Sequence, residues 1–179
     1  MLWVAFCVDF FGFLHAGEFT VNSTFDREIH LSVHHLQVDC SMNPSCLKIP
    51  IKCSKTDQFR SGCDIYFAKD NFEICPLAAT GSYLHVLGDA PGPLFLFSDG
   101  RPSLCPILSS KVQHILHSTG YSGTYPGHSF RIGAATTAAS CGVPDHLNKT
   151  LGPWSSDAYQ VYIRILITSN AQVTSQLLQ

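Results

Sequence analysis

Four residues in the last third of the chain carry groups that together suit a phosphate ester. His128 and Arg131 are three apart at the start of an expected helix, so both face one side. The start of such a helix also favours an anion. Arg131 offers a planar pair of donors that matches two phosphate oxygens. Trp154 adds an indole N–H, and Tyr162 a phenol able to act as a nucleophile. Each element alone is common: a His-x-x-Arg pair arises by chance, and a Trp and a Tyr near a helix usually belong to a core. The chemistry needs all four to converge.

The elements that must position them are mostly helical. Residues 1–20 are apolar and aromatic nearly all round and predict a central, buried helix ending in AGEF. Residues 28–38 fit either a helical turn or a strand, and His34 and His35 there read as surface or packing residues. Residues 47–55 alternate with period two, Leu47, Ile49, Ile51 and Cys53 against Lys48, Lys52 and Ser54, which predicts a half-buried strand. Residues 62–68 predict its hairpin partner, and Pro50 points to a sheet edge. Helices are expected over 76–87, 103–118, 128–141, 144–151 and 155–166, and a short extended segment at 94–97. In the helix at 103–118, Leu104, Ile107, Leu108, Val112, Ile115 and Leu116 form one stripe. Gly142 is placed to end the helix before it. The expected class is therefore α+β, mainly α, with one small antiparallel sheet.

Two stretches resemble known sequence boxes. GHSFRIGAATTAA at 127–139 and LGPWSSDAYQVYIR at 151–164 are similar to the C-terminal boxes of the tyrosine recombinases, the phage-integrase family. More narrowly, they resemble recombinase-like genes of eukaryotic transposable elements. The resemblance implies that Arg131, with a second Arg, holds the oxygens of a DNA phosphate, that His128 assists proton movement, that Trp154 donates a hydrogen bond or packs the site, and that Tyr162 is the nucleophile; Tyr159 is the rival. SKTD at 54–57 resembles the β-turn carrying the family's catalytic Lys, here Lys55. FGFLHAGEFT at 11–20 resembles the first box, with Glu18 at its acidic position. The implied reaction is strand cleavage and rejoining through a 3′-phosphotyrosyl link, with no metal, nucleotide or other cofactor. The implied partner is double-stranded DNA, bound by a homo-tetramer, with neither a small-molecule substrate nor a membrane. The implied catalytic domain spans 1–168, without the N-terminal domain that clamps DNA in the family, and 169–179 is expected to be a flexible tail.

The chain departs from the family pattern at His15, where the first box carries Arg. An imidazole is only partly charged near neutral pH and cannot present a bidentate fork. Losing one fixed oxyanion donor costs about 3–4 kcal/mol of transition-state stabilisation. Pro153, just before Trp154, is a second departure. The expected alternative to an active enzyme is thus a catalytically impaired, DNA-binding remnant of a mobile element.

Composition bounds these readings. Across 179 residues, 45% are apolar and 13% charged, enough for a real core and too apolar for a disordered chain. The net charge of −2 carries no whole-chain signature of a nucleic-acid binder. Five of the eleven basic residues, Lys48, Lys52, Lys55, Arg60 and Lys69, nevertheless fall in one segment. The eight cysteines raise a third reading, a secreted disulfide framework. Against it, they lack zinc-type spacing and several sit in apolar runs, where free Cys behaves as a small hydrophobe. Reduced thiols and a nuclear or cytoplasmic location are expected. The apolar N-terminal run has no basic leader and is interrupted by Asp9. The sequons at Asn22 and Asn148 are short enough to be accidental.

Overall fold

The computed structural model describes residues 1–53, 62–154 and 157–164. It is mainly helical with one small sheet, as expected. Helix α1 spans Leu2–Phe11 and α2 spans Ala16–Phe19. After a 3-10 turn at Val33–His35 come β1 (Gln37–Val38), β2 (Cys46–Ile51) and β3 (Cys63–Ala68). Then follow α3 (Pro76–Leu87), α4 (Cys105–Ser118), α5 (Ser129–Ser140), α6 (Asp145–Thr150) and a terminal 3-10 helix, Asp157–Tyr162. The sheet is antiparallel in the order β1-β2-β3, with Ile49 opposite Ile65 and Leu47 opposite Phe67. The alternation read in the sequence is real: Leu47, Ile49 and Ile51 are buried, while Lys48, Pro50 and Lys52 lie between. Residues 28–38 resolve into both candidates, a 3-10 turn and then a strand.

Three expectations need correction. Residues 1–20 form two helices. The chain turns at Gly12–His15, where Phe13 has φ +53. For a non-glycine residue this left-handed conformation is strained by about 1–2 kcal/mol, and the surrounding packing holds it. The terminal segment is a 3-10 helix where an α-helix was expected, and of the expected range 155–166 the positions 155, 156, 165 and 166 lie outside the described residues. The stripe on α4 is only partly buried. Leu108 is 1% exposed, but Ile107 and Ile115 are 37% and 40% exposed. The open part of the stripe, Val112, Ile115 and Leu116, joins Phe6, Phe10 and Phe130 in an apolar groove of about 350 Å³. Apolar periodicity identifies a face that avoids water in part, not the partner that covers it.

The main core gathers α1, α2, the sheet, α3 and α4 around Val8, Leu14, Phe19, Leu31, Ile49 and Phe95. A second, smaller cluster joins Phe13 to Ala134, Ala135 and Ala138 on α5, with Trp154 and Tyr162 packed against it. Three small residues let α5 approach closely, so the cluster sits directly beneath the site. Asn148 is fully buried, which rules out glycan attachment at its sequon in the folded chain. Among the described residues, no helix is long and apolar enough to cross a membrane.

Candidate functional site

Arg131 is the centre of the site. It lies on the first turn of α5 and is 5% exposed. Its Nε donates to the carbonyl of Phe13 at 2.7 Å, and its Nη2 donates to Glu18 Oε2. Glu18 is likewise buried, with its side chain 4% exposed. The same Glu18 oxygen accepts the backbone N–H of His15 at 2.8 Å, closing a capping box at the start of α2. One carboxylate therefore ties the first box to the arginine of α5. Removing either partner of such a pair leaves a buried charge, at a cost of about 3–5 kcal/mol. Neither contact uses Nη1, which leaves part of the guanidinium fork for another acceptor.

Aromatic groups surround the guanidinium. Arg131 Cζ stands 5.8 Å from the ring centroid of Trp154 and 5.8 Å from that of Tyr162. The two rings are 6.3 Å apart. Phe13 packs edge-on against Trp154 at 5.6 Å. Among the described residues, no acceptor reaches the buried indole N–H of Trp154. Tyr162 is half-buried, whereas Tyr159 is 4% exposed and packs against Trp154. Access thus separates the two tyrosines: only Tyr162 has a partly open ring. Thr136 on α5 holds this segment, donating to the Tyr162 carbonyl at 3.3 Å and accepting from the Arg164 N–H at 3.0 Å.

The two histidines come together across the starts of α2 and α5. The His15 and His128 rings are 6.2 Å apart and tilted by 30°. Gly127 makes this possible: a Cβ there would lie 3.3 Å from His15 Cε1. A cleft of about 350 Å³ opens on the His15 side, lined by Glu18, Asn22, His30, Cys53 and Cys105. Cys53, in the cleft wall, is the last described residue before position 62. Lys55 itself lies outside the described residues, as does Arg60. The other hairpin lysines are engaged locally: Lys48 pairs with Asp64 at 2.8 Å, and Lys52 donates to the Arg27 carbonyl at 2.6 Å. Lys69 donates to Asn43 at 2.9 Å.

The structure therefore brings together His15, Glu18, His128, Arg131, Trp154 and Tyr162. It also adds groups the sequence reading missed. The Phe13 carbonyl is one, and no sequence signal marks a backbone oxygen in a strained turn. Asp9 is another, 2% exposed on α1. Burial pushes its carboxyl well above the usual range; Arg131 opposes that shift and Glu18 adds to it. Among the described residues, no donor reaches its Oδ1. The lone acid in an otherwise apolar run was the available signal.

No protein-family model and no curated protein matches the chain. Solved structures do. XerA recombinase matches 95% of this chain with a TM-score of 0.64 at 16% identity. XerH site-specific recombinase, bound to its difH substrate in a pre-cleavage complex, matches 96% with a TM-score of 0.64 at 15% identity. The Tn1549 transposon integrase, in complex with a circular intermediate DNA, matches 97% with a TM-score of 0.53 at 13% identity. The chain covers 55%, 44% and 58% of those three chains, about half of each. The fold is that of a tyrosine-recombinase catalytic domain.

Proposed function

We propose that the chain is a DNA-binding domain of the tyrosine-recombinase kind, cleaving and rejoining DNA through Tyr162. The observation that carries this reading is the 5.8 Å approach of Arg131 to both Trp154 and Tyr162. A guanidinium, an indole ring and a phenol ring from distant segments meet in one place, and their donors suit the oxygens of a phosphodiester. The fold shared with DNA-bound recombinases supports the same reading.

In this mechanism the Tyr162 oxygen attacks phosphorus, and the bond from phosphorus to the 5′-oxygen breaks as the phosphotyrosyl bond forms. Arg131 and Trp154 hold the non-bridging oxygens, where negative charge grows. His128 assists departure of the phenolic proton, and Lys55 protonates the leaving 5′-oxygen. Attack by a 5′-hydroxyl reverses every step, so the strand is rejoined without an outside co-reactant. Descent from a eukaryotic transposable element, a homo-tetramer on DNA, a nuclear location and a separate clamping domain belong to this proposal and rest on the sequence boxes. His15 favours a slow form of the enzyme, because it removes one permanent cation.

The test is a nicked suicide duplex that releases its short product. A covalent protein–DNA adduct is expected, lost in Tyr162→Phe and retained in Tyr159→Phe. An adduct that persists in Tyr162→Phe overturns the assignment of the nucleophile. DNA retention with no adduct from the unmodified chain leaves the impaired, DNA-binding remnant as the reading.

A further inference from the structure

We propose that Gln113, on α4, is a positioning residue for His128: its side-chain amide clips the loop between α4 and α5 and so sets where the imidazole stands. The proposal rests on the recombinase-type reading of the site and adds a residue that acts on it from outside.

Residues 119–128 join α4 to α5. Residues 121–124 are exposed, so little packing fixes the loop and hydrogen bonds must do so. Gln113 holds the middle of the loop with both ends of its amide. Its Oε1 accepts the Tyr125 N–H at 2.9 Å, and its Nε2 donates to the Gly123 carbonyl. His117, one turn further along α4, reaches the same Gly123 carbonyl from Nε2 at 2.9 Å. The Gly123 tie is therefore duplicated. The Tyr125 tie belongs to Gln113 alone among the described residues.

The tie passes to His128 through a stiff link. Pro126 follows Tyr125, with its φ fixed by the ring. The Pro126 carbonyl accepts the Ser129 N–H at 2.9 Å, which closes a turn around Gly127 and His128. Residues 125–129 therefore move as one piece, with Gln113 fixing its first residue. From α2, the Ala16 N–H reaches the Gly127 carbonyl only at 3.4 Å, a longer and weaker hold. His128 stands in this piece as the N-cap of α5 and makes no side-chain capping bond there. Its place thus follows the loop. Arg131, by contrast, is held directly by Glu18 and the Phe13 carbonyl. Loss of the clip should therefore spare the hold on DNA and slow the proton step assigned to His128. A displacement of about 1 Å can cost up to about a hundredfold in rate.

Single-turnover adduct formation on the nicked suicide duplex, at saturating DNA, reads the rate, and fluorescence anisotropy with the same duplex reads affinity. Gln113→Met keeps the length of the side chain without its amide. It should slow the adduct about tenfold and leave affinity within about twofold of the unmodified chain. Gln113→Glu keeps an acceptor for the Tyr125 N–H while His117 keeps the Gly123 tie, so it should restore most of the rate. In a His128→Ala background, Gln113→Met should slow the adduct by less than about twofold, because both changes act through one imidazole. Three results each overturn the proposal: a Gln113→Met chain as fast as the unmodified one, a Gln113→Glu chain as slow as Gln113→Met, or an undiminished loss in the His128→Ala background. An affinity loss as large as the rate loss overturns it too. An unmodified chain that forms no adduct defeats the strand-cleavage reading instead, and the His128 ring resonances, recorded without DNA, then judge the clip. Gln113→Met should shift or broaden them and Gln113→Glu should leave them in place. Resonances unchanged in Gln113→Met, or moved equally in both variants, refute the clip.

Discussion

At the scale of residues, the buried charges around Arg131 set both stability and chemistry. Glu18 orients the guanidinium and caps α2 with the same oxygen. Asp9 sits beside them with its carboxyl raised by burial, and its effect on stability has a definite sign. The folded chain holds this proton at pH values where the unfolded chain has released it. Ionisation therefore favours unfolding, and this contribution to stability falls as pH rises from the unfolded value, near 4, toward the folded one. The expected loss is about 1.4 kcal/mol per pH unit within that window. Asp9→Asn keeps the shape of the neutral acid and removes the titration. Urea unfolding should find the variant more stable at pH 7, with the difference shrinking toward pH 4. A constant difference across that range would refute the buried, protonated carboxyl.

Among elements, the turns decide where the side chains of the site meet. The turn from α1 to α2 passes through Phe13 at φ +53, which aims its carbonyl at Arg131 and its ring at Trp154. The turn after α6 depends on Gly152. A Cβ there would come within 2.7 Å of Trp154 Cζ3 and 2.8 Å of Phe13 Cβ. Gly152→Ala should therefore displace the Trp154 ring and destabilise the fold by about 1–3 kcal/mol. A lowered melting temperature and altered Trp fluorescence would record this, and unchanged values for both would refute the close contact. These elements were unequally legible in the sequence. Period-two alternation located the start of β2 and both ends of β3 within a residue, because one buried face imposes it, but β2 ends at Ile51, short of the expected 55. The Phe13 turn was invisible, because nothing local requires Phe in a left-handed conformation.

For the molecule as a whole, two apolar clusters of unequal size share the work. The larger spans α1 to α4, and the smaller rests on three alanines of α5 with Phe13. The site is built on the smaller one. Segments with little buried apolar area open at lower free energy than the main core. Amide hydrogen exchange should accordingly be slowest in α1 and β2 and much faster in α6 and the terminal 3-10 helix. Equal protection in the two regions would mean that the clusters unfold as one unit. A site on the more easily opened cluster can shift without disturbing the sheet.

The sequence by itself determined the fold class, the hairpin strands and the boxes around His15, His128, Trp154 and Tyr162. Periodicity and residue type are local properties, and these features depend on little else. It also marked His15 as a departure from the resemblance that names those boxes. Only the tertiary structure decided that Glu18 neutralises Arg131, that Asp9 is buried beside them, and that His15 faces His128 at 6.2 Å. Those relations join groups far apart in the chain, and their energies depend on burial and on which charges share a low-dielectric space. No pattern of residue types specifies those quantities before the chain has folded.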